Sequence, residues 1–189
     1  FGNDKDSKIP EGLWKSCDKC GSILYIPELK KNSYVCSKCS HHFKVNVTER
    51  IDITFDKDTY VNLNDAEQFN DYLQFKDTKK YKDRYQDALA KSDADEAISI
   101  GTGKVLGKDI VVAIFEFDFL GGSMGAVVGK RFTKAVDYAV EHNFPLVAFS
   151  TSGGARMQES MISLFQMGKT AAAVKKLKKK KLPFISVLV

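Results

Sequence analysis

The sequence predicts a layered α/β domain behind a small four-cysteine metal module. Three observations carry that prediction. All four cysteines fall within the first 40 residues, as two CxxC pairs. From Ala97 onward, apolar runs of strand length alternate with stretches of helical period. Paired glycines, Gly121-Gly122 and Gly153-Gly154, stand where those elements meet.

The cysteines read Cys17-Asp-Lys-Cys20 and Cys36-Ser-Lys-Cys39, with fifteen residues between the pairs. This is zinc-ribbon spacing: each CxxC forms a tight knuckle that aims two sulfurs at one ion, and four thiolates close a tetrahedral, structural site. Gly21 supplies the turn after the first knuckle. The segment between the knuckles carries β-formers and predicts a short hairpin, with Tyr25, Tyr34 and Val35 covering the metal. Two disulfides are the competing reading, and the regular spacing argues against them. His41 and His42 follow a shell that is already full, so they are expected at the surface or behind the ligands. Lys15, Lys19, Lys30, Lys31, Lys38 and Lys44 make the module basic, which keeps nucleic-acid contact open.

Residues 46–96 read as a mainly helical, polar connecting region. Thr48, followed by Glu49 and Arg50, gives a helix-start signal. Tyr81, Tyr85, Ala88 and Leu89 have the spacing of a packed helical face. Asp93, Asp95 and Glu96 form an acidic cluster expected to be a solvated loop.

The catalytic half opens with "AISIGTGKVLGKDIVVAIFEFDF", two β-runs around a turn at 107–109. A glycine loop, "GGSMGAVVG", leads into a helix whose Val128, Phe132, Ala135, Val136 and Ala139 follow the 3.6 period. "FPLVAFS" is a short apolar run suited to a buried parallel strand. "TSGGARMQES" then leads into a long helix, and "LPFISVLV" begins another buried strand.

Paired glycines between a strand and a helix predict free backbone N–H groups at a helix N-terminus, with the dipole behind them. Neither a P-loop nor a GxGxxG fingerprint occupies this position. An oxyanion hole for a carbonyl therefore fits best, and tight helix–strand packing alone is the competing account. A serine hydrolase is disfavoured: Ser150, Thr151 and Ser152 lie beside the glycines, but there is no GxSxG elbow and His142 completes no triad order.

Composition bounds the rest. The 189 residues carry a net charge of +5. Charge is positive over 1–50, negative over 51–96 and strongly positive over 97–189, and a basic C-terminal half suits an anionic partner. The run Lys175–Lys181 is expected as a solvated helix end, with contact to coenzyme phosphates as the alternative. No apolar run reaches the roughly 18 residues of a membrane span, so no membrane partner is expected. The polar start lacks a secretory core, and a first residue other than Met is read as a trimmed or incomplete N-terminus.

The cysteine ribbon followed by "FDFLGGSMGAVVG", "FSTSGGARMQES" and "SLFQMGKTAAA" closely resembles the carboxyltransferase β subunit of bacterial and plastid acetyl-CoA carboxylase. The resemblance covers residues from about 13 to 189. It implies a crotonase-like fold of ββα units, divided as a zinc ribbon (13–45), the connecting region (46–96) and a carboxyltransferase domain (97–189) that is incomplete at its C-terminus. It implies transfer of a carboxyl group from carboxybiotin, borne on a carrier protein, to acetyl-CoA, giving malonyl-CoA for fatty-acid synthesis. The implied partners are a carboxyltransferase α subunit in an α2β2 assembly, the biotin carboxyl carrier protein and biotin carboxylase, in a bacterial cytoplasm or a plastid. The resemblance assigns the N–H groups of Gly153, Gly154 and Ala155 to the oxyanion hole. Gly121, Gly122, Ser123, Met124, Gly125 and Arg156 are assigned to the substrate, and Cys17, Cys20, Cys36 and Cys39 to one structural zinc. It places the second oxyanion donor pair beyond Val189. Lys130-Arg131 departs from the family's pattern, which bears on a surface contact and not on the chemistry. Two other classes stay open: a zinc-ribbon nucleic-acid binder, and a crotonase-like acyl-CoA hydratase or hydrolase.

Overall fold

A computed structural model describes residues 12–66 and 69–189. The chain divides into two compact units, Phe1–Val45 and Asn46–Val189.

In the first unit, β1 (Trp14–Ser16) pairs antiparallel with β2 (Ile23–Tyr25), and a one-and-a-half-turn helix α1 (Ile26–Lys31) follows at once. The hairpin expected between the knuckles therefore brackets the first knuckle instead. Pro27 in the first turn of α1 explains the switch, because a proline there presets the helical φ and removes a donor the helix does not need. Leu24, Leu29, Tyr34 and Phe43 are the buried apolar side chains of this small unit. The Tyr25 and Trp14 rings pack at a tilt, with centroids 5.1 Å apart.

The second unit is built on a five-stranded sheet in the order β3-β4-β5-β6-β7. Helix α2 (Val47–Thr54) comes first, and its N-cap is Asn46, not Thr48: Asn46 and Glu49 exchange side-chain and backbone hydrogen bonds in a capping box. The edge strand β3 (Val61–Asn62) and helix α3 (Tyr81–Lys91) complete residues 46–96. This segment is part of the second unit's packing, since Tyr81, Tyr85 and Ala88 of α3 lie in its core.

Strands β4 (Ile98–Val105) and β5 (Lys108–Phe115) form an antiparallel hairpin. The turn falls on Leu106-Gly107, both at positive φ, one residue earlier than the sequence suggested. The carboxylate of Asp56 fixes it by accepting both turn N–H groups, at 3.0 and 2.7 Å. The order then becomes parallel: β5 pairs with β6 (Leu146–Ser150), and β6 with β7 (Phe184–Leu188). Parallel neighbours need crossovers. Helix α4 (Ala126–His142) provides the first and α5 (Met161–Lys179) the second.

Val128, Phe132, Ala135, Val136 and Ala139 of α4 are all buried, as their period predicts. They pack with Ile98, Ile100, Val111, Ala113, Leu146 and Ala148 of the sheet and with Ala173 and Leu177 of α5. Each large aliphatic side chain so buried contributes about 1.5–3 kcal/mol. None of the described helices is long and apolar enough to cross a membrane.

Candidate functional site

In open parallel sheets, ligands gather outside the carboxyl ends of the strands. Here β5 ends at Phe115 and β6 at Ser150, and the two strands are neighbours. The segments that leave them, 116–125 and 151–160, therefore emerge side by side although some 30 residues separate them. That is what brings the two glycine pairs together.

The contact is made by backbone. Gly153 donates its N–H to the carbonyl of Gly121 at 2.7 Å. Met124 N–H bonds Gly154 O at 2.8 Å, and Arg156 N–H bonds Met124 O at 2.9 Å, a parallel bridge between Met124 and Ala155. A side chain on Gly122 would meet Thr151 O at 3.0 Å, so the glycines are needed for close approach of one loop to the other.

This corrects the physical picture drawn from the sequence. The glycines do not open the helix: a 3-10 turn over Met157–Glu159 intervenes, and α5 starts only at Met161. Nor are the three expected donors equivalent. The N–H of Gly153 is committed to Gly121, and that of Gly154 to Ser152 Oγ at 3.0 Å. In a parallel bridge the flanking groups bond and the central N–H points away. The Ala155 N–H accordingly has no acceptor among the described residues, and Ala155 is exposed. A cavity of about 390 Å3 lies against these loops, lined by Phe115, Met124, Phe132, Ser150, Ser152 and Phe184 among others.

Arg156 is also corrected. Assigned to the substrate by the resemblance, it is not free for a ligand: its side chain is 1% exposed. The guanidinium forks onto Glu96 at 2.5 and 3.1 Å, and bonds Ser123 O at 2.9 Å, Ser123 Oγ at 3.2 Å and the Tyr81 hydroxyl at 3.2 Å. Glu159, three residues on, stands at 3.4 Å. The Glu159 carboxylate accepts from Tyr81 at 2.8 Å and from Ala126 N–H, in the first turn of α4, at 2.6 Å. Burial alone lowers the Arg156 pKa, but hydrogen bonds and charge from Glu96 outweigh that and raise it above the ordinary range. Burial pushes the Tyr81 hydroxyl well above its ordinary value and that of Tyr85 up to about 12. A side chain on Gly125 would come within 2.6 Å of Glu159 and 2.8 Å of Arg156.

The acidic cluster is the expected solvated loop only in part: Asp93 and Asp95 are exposed, but Glu96 is buried. Glu96 pairs with Arg156, and Asp95 pairs with Arg131 at 2.5 Å. Arg131, read as bearing on a surface contact, is 1% exposed and also bonds Ile98 O at 3.0 Å. The phase of α4 carried that signal, since position 131 lies one turn from Val128 and from Ala135 on the buried face. The lysine run sits at the other end of α5: fourteen residues from Met161 to Lys175 span about 21 Å.

The first unit holds the metal-type cluster. The sulfurs of Cys17, Cys20, Cys36 and Cys39 all lie within 4.8 Å of one another. Cys17 and Cys39 are 3.7 Å apart, and Cys20 and Cys36 3.8 Å. Disulfide sulfurs sit about 2.05 Å apart, whereas four sulfurs about 2.3 Å from a central zinc stand roughly 3.8 Å apart. The donor set fits zinc. Both knuckles close alike: Gly21 N–H bonds Cys17 O at 2.8 Å, and Ser40 N–H bonds Cys36 O at 2.9 Å, each from a positive-φ residue. His41 packs edge-on to Phe43 at 5.3 Å, and neither histidine belongs to the cluster.

This crossover sheet, with a glycine-loop pair at the carboxyl ends of its strands, has a crotonase-like carboxyltransferase fold. Solved structures share it. A transcarboxylase 12S hexamer core with methylmalonyl-coenzyme A bound is 24% identical, with a TM-score of 0.59 over 77% of this chain and 26% of that one. A Pseudomonas malonate decarboxylase hetero-dimer is 20% identical (TM-score 0.55, 75% of this chain, 51% of the other). The P. aeruginosa geranyl-CoA carboxylase β subunit is 18% identical (TM-score 0.53, 85% and 26%). The chain thus spans about a quarter of the length of the transcarboxylase chain.

Residues 43–189 match the family described as carboxyl transferase domain, and residues 14–39 match the acetyl-CoA carboxylase zinc finger domain. The chain belongs to the carboxyl transferase domain family, and the two matches together are those of the carboxyltransferase β subunit of acetyl-CoA carboxylase.

Proposed function

We propose that this chain is the β component of a biotin-dependent carboxyltransferase that moves a carboxyl group from carboxybiotin on a carrier protein to acetyl-CoA, forming malonyl-CoA for fatty-acid synthesis. The observation that carries this reading is the Ala155 N–H, held open by the Met124–Ala155 bridge on a loop whose Thr151 and Ser152 line the cavity. To accept the carboxyl group, the thioester must lose a methyl proton, and negative charge then grows on its carbonyl oxygen. A fixed N–H aimed at that oxygen stabilises the charge without reorganising, and one such donor is worth about 3–4 kcal/mol in other enzymes. Gly154 offers a second N–H if Ser152 Oγ turns away. Arg156 and Glu159 hold the loops and leave the chemistry to the main chain. Biotin, when delivered, supplies the carboxyl group. Zinc holds the first unit together through its four cysteines.

An α subunit fits the surface of α5. Phe165 is 67% exposed, and Met161, Leu164 and Met167 are exposed beside it, a contiguous apolar face of the kind that marks subunit contacts. The carrier protein and biotin carboxylase follow from the same reaction, as does a bacterial-cytoplasmic or plastid setting. Exposed lysines on the ribbon favour nucleic-acid contact as a second role of that unit.

The test is the reverse reaction: malonyl-CoA-dependent carboxylation of biocytin by the full chain with its α partner. Turnover is expected. Correctly assembled subunits without turnover would overturn the reading. Hydration of a crotonyl thioester by the chain alone would favour the hydratase instead.

A further inference from the structure

We propose that Glu96 is a positioning residue for the open Ala155 N–H, acting through its buried pair with Arg156; this rests on the donor role given to Ala155 above. Glu96 lies outside both glycine loops, directly before β4, and is 1% exposed. A carboxylate so buried is costly unless paired, and its partner is the residue next to Ala155.

The geometry shows what the pair holds. Arg156 reaches both loops at once. Its backbone N–H fixes Met124 O, and its guanidinium fixes Ser123 O and Ser123 Oγ. Ser123 and Met124 form the strand of the bridge that faces Ala155. The guanidinium is itself aimed by Glu96, through two parallel hydrogen bonds that fix its plane. The Glu96 backbone is fixed in turn by the sheet, because Ala97 O accepts from Glu116 N–H at 3.0 Å.

Loss of the Glu96 charge has a definite consequence. The Arg156 fork would be left with Glu159, now at 3.4 Å and already engaged by Tyr81 and by Ala126 N–H. A cation drawn to Glu159 competes with Ala126, loosening the first turn of α4 and with it Met124. Displacements of about 1 Å at such positions cost about 100-fold in rate. Glu96 is 1% exposed and out of reach of a ligand, so binding should change little while transition-state stabilisation falls.

The experiment uses the full chain assembled with its α partner, comparing the wild type with Glu96→Gln. Isotope-edited infrared spectra of bound [1-13C]acetyl-CoA report the carbonyl directly, and steady-state rates separate kcat from KM. The wild type is expected to shift the thioester band below its position in free acetyl-CoA. Glu96→Gln is expected to return the band toward the free position, with kcat down about 10–100-fold and KM within about threefold. A folded Glu96→Gln variant with the wild-type band and kcat within about twofold overturns the positioning role alone. An unshifted band in the wild type overturns the donor reading and this inference with it. If Glu96→Gln does not fold, Tyr81→Phe removes a single hydroxyl from the same network. A partial loss of the band shift in that variant supports the role, and an unchanged band with unchanged kcat overturns it.

Discussion

Gly153 and Gly121 share a 2.7 Å hydrogen bond from N–H to carbonyl, tying together loops that follow neighbouring parallel strands. The site is assembled by this main-chain contact, so glycines at the contact are expected to tolerate substitution according to the space around each one.

Gly121 and Gly122 both have φ of 66°, where any L side chain costs about 1–2 kcal/mol. A methyl on Gly121 meets open space, whereas one on Gly122 meets Thr151 O at 3.0 Å. Gly122→Ala should therefore lose more carboxyltransferase activity and more stability than Gly121→Ala. Denaturant midpoints and steady-state rates of the pair check the ranking, and equal losses would show that the loop contact is unimportant.

Ala155→Pro removes the open N–H and leaves both bridge hydrogen bonds, which are made by Met124 and Arg156 N–H. The expected result is a drop in kcat of about 100- to 1,000-fold with a small change in Tm. Ala155→Gly, which keeps the N–H, should stay close to wild type. Wild-type turnover by Ala155→Pro would remove Ala155 from the mechanism.

Asp95 sits below the ordinary carboxylate range because Arg131 hydrogen-bonds it. A depressed acid stabilises the fold above its unfolded pKa of about 3.9, and that contribution is lost as pH falls through the lower folded value. Asp95→Asn should cost about 1–3 kcal/mol at pH 7, toward the low end because the Asp95 side chain is 58% exposed. The difference from wild type should shrink below about pH 4. Urea unfolding at pH 7 and pH 3.5 measures both.

Gln166 of α5 lies over Gly129 of α4, where an added methyl would fall 2.0 Å from Oε1. Gly129→Ala should destabilise by about 1–3 kcal/mol. Gln166→Ala in the same chain should recover part of that, as residues in contact couple. Additive losses in the double variant would show that the helices do not meet as described.

Cys36→Ser should abolish zinc binding and unfold the first unit, because four thiolates close the site and Cys36 is buried. Metal content by mass spectrometry is expected to fall from one ion per chain to none. Retention of a full complement would place the ion elsewhere.

The zinc cluster and α4 were legible in the sequence because each follows a local rule, ligand spacing in one case and helical period in the other. The glycine pairs stood out in the sequence, but their geometry did not. Their partnership depends on β5 and β6 being adjacent, a long-range fact that no window of sequence contains. The burial of Glu96, Arg131 and Arg156 was not legible for a related reason. Charged residues read as solvated until their partners are known, and Glu96 and Arg156 are 60 residues apart. Asn46 was missed as the N-cap because Thr48 offered a similar signal two residues on.

Because the open donor at Ala155 belongs to the peptide link, nearly every codon at that position preserves it. Natural drift to serine, cysteine or glycine would keep that N–H, while the smallest addition at Gly122, Gly125 or Gly153 would crowd Thr151, the Arg156–Glu159 pair or Gly121 in the surrounding loops. A systematic alanine scan would thus pass over the proposed donor at Ala155 and flag its bare neighbours, so that under this proposal the imprint of function on heredity lies beside the group that performs it.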